Sequence, residues 1–300
     1  MGLWSCTAVA APRQVVLLLS DASAPYQEVA RAIRDGLDAE INAGKINVKT
    51  VIEGDPGLDE ALGGPDSLLI PLGLKAAQAS ARRDQAILTG FVARPAFERL
   101  FPPGAGRRPA SAVYLDQPLN RRLELVRAIW PRAHNLGAVF GTGTVPAQTQ
   151  SELNSSASAA GMRLVAANLG SGDELFNALK DLLPNVDVLL LLPDPLVVNR
   201  NSIQNLMLST YRQRVPAIGY SRDLVDAGAL AAVYSTPQQI GTQLAEIVQR
   251  MLPGKTWDLP APSYPRYFTV KTNTSVARAL DISLPSEPAL AQRMGSGAGL

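Results

Sequence analysis

Apolar residues along this chain fall into short runs that alternate with stripes at helical spacing. Residues 14–20 (QVVLLLS) form a run that ends at Ser20-Asp21, and residues 26–41 follow with Val29, Ile33, Leu37 and Ile41 on one stripe. The run has the length of a buried strand, and the stripe is that of a helix packed against it. The alternation continues with strands at 46–52, 67–70, 86–91 and 112–115. A short Ala-rich helix opens at Pro71-Leu72-Gly73 and runs through Arg83. The pattern then restarts. Asp116 leads into a helix carrying Leu119, Leu123, Val126 and Trp130, stopped by Pro131, and strand 136–140, helix 145–160 and strand 162–167 follow. Ser171-x-x-Glu174 predicts a capping box for a helix with Leu175, Leu179 and Leu182 on its inner face. A strand from Val186, a helix through Ile203, Met207 and Tyr211, and strands at 215–219 and 230–235 complete the second set.

Strand and helix in alternation predict an α/β fold with parallel sheets covered on both faces. Corresponding strands of the two halves are offset by about 120 residues, so the chain reads as two copies of one Rossmann-like lobe. Thr236-Pro237-x-Gln239 caps a long helix with Ile240, Leu244, Ile247 and Met251 inward; a Pro-rich stretch, a strand at 267–271 and a helix from Ser275 follow. Crossings near Asp116, Thr236 and Tyr264 give lobe 1 as residues 13–116 plus 237–262, lobe 2 as 117–236 plus 263–284, and a three-strand hinge. From Pro285 onward the Pro, Gly, Ser and Ala content predicts a disordered tail over 285–300.

Charge and rare residues narrow the function. The net charge is +2 with no Lys/Arg run, which argues against a nucleic-acid partner; Gly106-Arg107-Arg108 reads as a solvated loop. No stretch reaches the roughly 18 apolar residues of a membrane span. Residues 1–12 read as the remnant of an export signal, with an A-x-A pattern at Ala8-Val9-Ala10 but no charged start. Leu3-Trp4-Ser5-Cys6 is similar to a lipobox, with a chance match as the alternative. Cys6 is the single cysteine and His134 the single histidine, which removes thiol catalysis, Cys-based metal sites and a histidine triad at the strand ends. No Walker loop and no H-E-x-x-H is present, and no cofactor or metal is expected. Gly141-Thr142-Gly143 departs from the dinucleotide fingerprint because Pro146 occupies the third glycine position and the next strand runs into Asn168 instead of an acid.

Ligands of open parallel sheets gather at the carboxyl ends of the strands. The apolar run Val186 to Pro195 (VDVLLLLPDP) ends in a carboxylate between two prolines, so Asp194 is the leading candidate, with a helix cap as its bland alternative. The other strand ends offer Ser20 and Asp21, Leu72 and Gly73, Thr89 and Gly90, Thr142, and Tyr220 with Ser221. Hydroxyls and backbone N–H groups can hold an acid, Asp194 an ammonium, and Tyr220 or Phe91 an apolar body. The duplication pairs the strand before Asp194 with 67–70, so Asp194 and the Leu72-Gly73 turn are expected to face one cleft.

Several stretches together resemble the ABC-transporter substrate-binding family of two-lobed type I periplasmic binding proteins, which includes tryptophan and tyrosine binders. They are residues 123–131 (LELVRAIWP) with 136–140 (LGAVF), the strand from Asp187 to Asp194, 228–231 (GALA), 252–255 (LPGK) and 276–285 (VARALDISLP). The resemblance implies a Venus-flytrap monomer that closes on a small molecule, an amino acid or a related polar or organic solute. It also implies a periplasmic location, an ABC permease as partner, and Asp194, Thr142 and Ser221 as ligand contacts. Arg94-Pro95 stands where the family has Asp-Pro, which departs from an aromatic amino-acid site and leaves Arg94 as either an anion contact or a surface ion pair. A sensor feeding a signalling partner is the alternative, and an enzyme on the same fold a distant third.

Overall fold

The computed structural model describes residues 11–102, 104 and 109–295. Residues 1–10 of the leader, Cys6 among them, and Gly106-Arg107-Arg108 lie outside these described residues. The chain divides into two units, residues 1–115 with 236–265 and residues 116–235 with 266–300.

The first unit runs β1 (Arg13–Leu19), α1 (Ala24–Gly36), α2 (Asp38–Asn42), β2 (Ile46–Ile52), α3 (Leu58–Ala61), β3 (Leu68–Leu72), α4 (Leu74–Ser80), β4 (Ala86–Val92), α5 (Arg94–Leu100) and β5 (Ala110–Tyr114). The second runs α6 (Leu119–Ile129), β6 (Asn135–Gly141), α7 (Ala147–Ala159), β7 (Arg163–Leu169), α8 (Leu175–Leu182), β8 (Val188–Leu190), α9 (Ile203–Arg212), β9 (Ala217–Gly219), α10 (Arg222–Asp226) and β10 (Ala231–Tyr234). α11 (Pro237–Met251) returns to the first unit. β11 (Thr269–Thr272), α12 (Thr274–Ala279) and α13 (Glu287–Arg293) belong to the second.

Both sheets have the same order. The first is β2-β1-β3-β4-β5, and the second is β7-β6-β8-β9-β10 with β11 added at the β10 edge. All pairings are parallel except β10 with β11. The internal duplication is therefore physical. Alternate residues of one strand serve two cores: Val15, Leu17 and Leu19 meet α1 and α11, while Val16 and Leu18 pack with Leu62 and Ala76 on the other face. In the second unit Val188 and Leu190 join one core and Leu189 and Leu191 the other.

Two sequence expectations change. The tail is not without structure: α13 begins at its N-cap Ser286, whose Oγ accepts from the Ala289 N–H, and it buries Leu290 and Ala291 in the core of the second unit. Glu287 also anchors it, its Oε1 accepting from Thr272 N at 2.8 Å. Small residues gave this stretch a disordered composition, yet Leu290, Ala291 and Met294 fall on one helical face. The box at Ser171 does not form. Glu174 accepts from Gly170 N at 2.8 Å, and a short 3-10 turn over Gly172–Glu174 precedes α8. The helix read through Ile203, Met207 and Tyr211 forms as α9, with Met207 buried and Tyr211 53% exposed.

The box at Thr236 does form, with Gln239 N donating to Thr236 Oγ1 at 3.2 Å and Thr236 N to Gln239 Oε1 at 2.9 Å. Thr236→Ala removes one arm of it and is expected to cost about 1 kcal/mol, read as a lower urea midpoint at unchanged slope.

Candidate functional site

At the carboxyl edge of the first sheet, Ser20 follows β1 and is buried. Its Oγ donates to Leu72 O at 2.9 Å and accepts from Ala76 N at 3.0 Å, which ties β1 to β3 and to the start of α4. Gly73 donates to Gly90 O at 3.0 Å and so closes the same edge. These three residues shape the edge from within. Asp21 is exposed, and its Oδ1 accepts from Ser23 N at 2.8 Å. The hydrogen bonds from Ser23, with Lys75 adding a smaller attraction, lower its carboxyl below the ordinary range. Thr89 is fully buried, its Oγ without a partner and its pair across the ladder being Ala112, so it belongs to the sheet interior.

Phe91 is the unusual residue here. Its φ is 62°, in the left-handed region, at a register shift between Gly90 and Val92. For a bulky aromatic residue this costs about 1–3 kcal/mol. The bend sets the Phe91 ring edge-on to Tyr26, centroids 5.8 Å apart, with both rings only partly buried. Leu74, at the start of α4, is 46% exposed. The first unit thus offers apolar surface at its strand ends.

The second edge is more polar. Asp194 is 1% exposed, and its carboxylate is occupied from within. Oδ2 accepts from Gly141 N at 2.5 Å, and Oδ1 accepts from Thr144 Oγ1 at 2.8 Å and from Leu196 N at 2.9 Å. The contact to Leu196 is a local Asx turn, and the other two bind the loop after β6 to the end of β8. A Cβ on Gly141 would lie 2.4 Å from Thr144 Oγ1 and 2.8 Å from Asp194 Oδ1, so glycine is what lets this bracket close. Thr142 is exposed, and its N–H donates to Leu169 O at 2.8 Å. Ser221 is the N-cap of α10, its Oγ accepting from Leu224 N at 3.4 Å.

Neither the strand ends nor the apolar stripes of the sequence single out Arg122. It sits on α6, 4% exposed, and donates through Nη2 to Leu191 O at the end of β8. Its Nε has no hydrogen-bond partner. Burial lowers the guanidinium to about 10, opposed by the charges of Asp116 and Tyr220, so it remains a cation at neutral pH. The signal for it was a second stripe on α6, where Arg122 stands three residues before Leu125 and seven before Ile129, both buried. Arg94 lies elsewhere, on α5 of the first unit, paired with Glu98 at 2.7 Å and donating to the Tyr264 hydroxyl at 3.1 Å.

Tyr220 is half-buried and feels the charges of Arg122 and Asp194. Burial raises its phenol above the ordinary 10.0, Arg122 pulls it down, and Asp194 pushes it further up. For an acid whose folded value is raised, the folded state holds its proton after the unfolded chain has lost it. Stability is therefore full below about pH 10 and declines as pH rises toward the raised value. In a phenolate absorbance titration Tyr220→Phe is expected to remove one late-ionising group and to lessen the loss of stability above pH 10.

Among the described residues no cluster of three His, Cys, Asp or Glu could hold a metal. His134 is exposed at the opposite end of β6, next to Asn135.

Residues 113–292 match the family model described as ABC transporter substrate binding protein. A tyrosine-binding protein of Clostridioides difficile (strain R20291) is 25% identical over 166 residues, 55% of this chain and 47% of that protein. The chain spans about half the length of the curated relative it matches. Among solved structures, the ligand-free, open form of a substrate-binding protein with adhesive properties from Clostridium difficile is similar at a TM-score of 0.74 and 18% identity, covering 91% of this chain and 96% of that one. The ABC domain from Streptococcus pneumonia in complex with L-Trp gives a TM-score of 0.61 at 19% identity, covering 95% and 99%. These structural likenesses establish the fold: two α/β units with mostly parallel sheets, the architecture of periplasmic binding proteins.

Proposed function

Because this chain belongs to the ABC transporter substrate-binding protein family, we propose that it captures a small solute at the carboxyl edges of its sheets and delivers it to an ABC permease outside the cytoplasm. The observation that carries this reading is the second unit's edge. There a buried carboxylate braces one loop, and a buried cation and a half-buried phenol stand beside it. Such groups hold a ligand in place; the single histidine lies at the wrong end of β6 to serve as a base with them. The chain is a binder with no catalytic step of its own.

The solute is an amino acid or a related small polar or organic molecule. The relatives that bind tyrosine or carry L-Trp support this class, and the partly exposed Tyr26 and Phe91 rings fit an apolar body. Asp194 acts through the Gly141–Thr144 loop, and the exposed Thr142 and half-buried Tyr220 are proposed contacts of the solute on this side. Export through the leader, and an anchor at Cys6, belong to the same reading, as does a working monomer.

Thermal unfolding against amino acids, dipeptides, nucleosides, sugars and small organic acids tests it. A true solute at one hundred times its Kd adds about 2.7 kcal/mol of stability. No shift with any member of that panel would refute solute capture.

A further inference from the structure

Arg122 has a feature that the bracing of Leu191 does not explain. A guanidinium presents five N–H donors, and leaving one of them buried and unpaired is destabilising. Nε of Arg122 is in that position, on a side chain 4% exposed. Burying the cation there adds a desolvation penalty, and an apolar side chain at the same place on α6 would avoid both. The location is also particular. Nη2 holds the carbonyl of Leu191, at the carboxyl end of the central strand β8. That is where parallel sheets receive ligands. Asp116 is the carboxylate whose charge acts most on this guanidinium, yet it does not hydrogen-bond Nε, and the carboxylate of Asp194 is taken by three internal donors.

We propose that Arg122 receives an oxyanion of the solute, a carboxylate met through Nε and a neighbouring Nη, and that this edge selects for the acid of the ligand and not for its amine. The inference rests on the solute-binding reading above. It makes the negative charge, whether on an amino acid or on an amine-free organic acid, the property the second unit reads. A guanidinium suits this task because its planar fork matches a carboxylate in two parallel hydrogen bonds, which the ammonium of a lysine does not.

The test uses calorimetric titration of the full chain with L-tyrosine, L-tryptophan, 3-(4-hydroxyphenyl)propionate and succinate, each beside its methyl ester, with D-arabinose and D-tagatose as uncharged controls. At least one acid is expected to bind, with its ester about 10- to 100-fold weaker, the effect of losing one charge-assisted contact. Arg122→Gln and Arg122→Lys are expected to weaken the acid by a similar factor while changing the ester little, so that the acid-to-ester ratio collapses toward one. A purely structural Arg122 would leave that ratio as it is. Esters that bind as tightly as acids, or binding by the sugars alone, would overturn the inference and leave solute capture standing. Binding by none of these compounds would overturn it as well; solute capture falls only if the wider thermal panel is also silent. Because the acid-to-ester comparison on the unaltered protein needs no variant, a failure of Arg122→Gln to fold does not blunt the test.

Discussion

Asp194→Ala is expected to lower the free energy of unfolding by about 3–5 kcal/mol, since it strips the acceptors from three donors at once. Two of those donors, the Gly141 N–H and the Thr144 hydroxyl, belong to the loop after β6, and the third, the Leu196 N–H, belongs to the turn after β8. Asp194→Asn keeps one carbonyl oxygen but points an NH2 at a donor, and its loss should be about half as large. Urea unfolding of both variants gives the comparison. Loss of solute binding should accompany the loss of stability, because the loop carrying Thr142 is no longer held. An Asp194→Ala protein as stable as the parent but unable to bind would make the carboxylate a direct ligand contact and not a brace.

Gly73→Ala is the second large effect, expected at about 3–5 kcal/mol. Gly73 has φ 93° and ψ 172°, a region that side chains scarcely enter. An added Cβ would also lie 2.4 Å from the Tyr26 ring and 2.6 Å from Ser20 Oγ. The two penalties fall on one turn, and relieving the second displaces Ser20 from Leu72 and Ala76. A thermal melt measures the cost. Near-ultraviolet circular dichroism should show a changed Tyr26 environment as well. Wild-type stability in this variant would mean that the turn at Gly73 relaxes freely and does not define the edge.

Much of the fold could be read from periodicity because each sheet is buried on both faces. Strands such as β1 and β3 are continuous apolar runs, and the helices that cover them repeat at helical spacing. Both carboxyl edges follow from the same periodicity, which stops at the residues after β1, β3, β6 and β8. It could not separate hydroxyls that are neighbours in sequence: Thr142 and Thr144 are two residues apart, yet Thr144 makes the contact with Asp194. Nor could it tell a hydroxyl spent on the framework from one available to a ligand, as with Ser20 and Thr89. Arg122 was hidden for a different reason. A charge next to another arginine reads as the solvated side of a helix, and only the companion burial of Leu125 and Ile129 reveals a second inward stripe. The helix α13 was obscured by composition, which averages over a segment and loses the spacing of Leu290, Ala291 and Met294.

The division of the chain has a consequence in time. α1 packs in one core with Ile240, Leu244 and Val248 of α11, so the first unit cannot complete its interior until a helix from the last quarter of the sequence is present. At roughly 5–20 residues per second, a ribosome needs on the order of 10–40 s to make the stretch that separates the two helices. During that interval α1 stands on that face of the sheet without α11, and the core they share stays incomplete. On the export reading proposed above, this delay would leave the chain in a form that can still be threaded across a membrane.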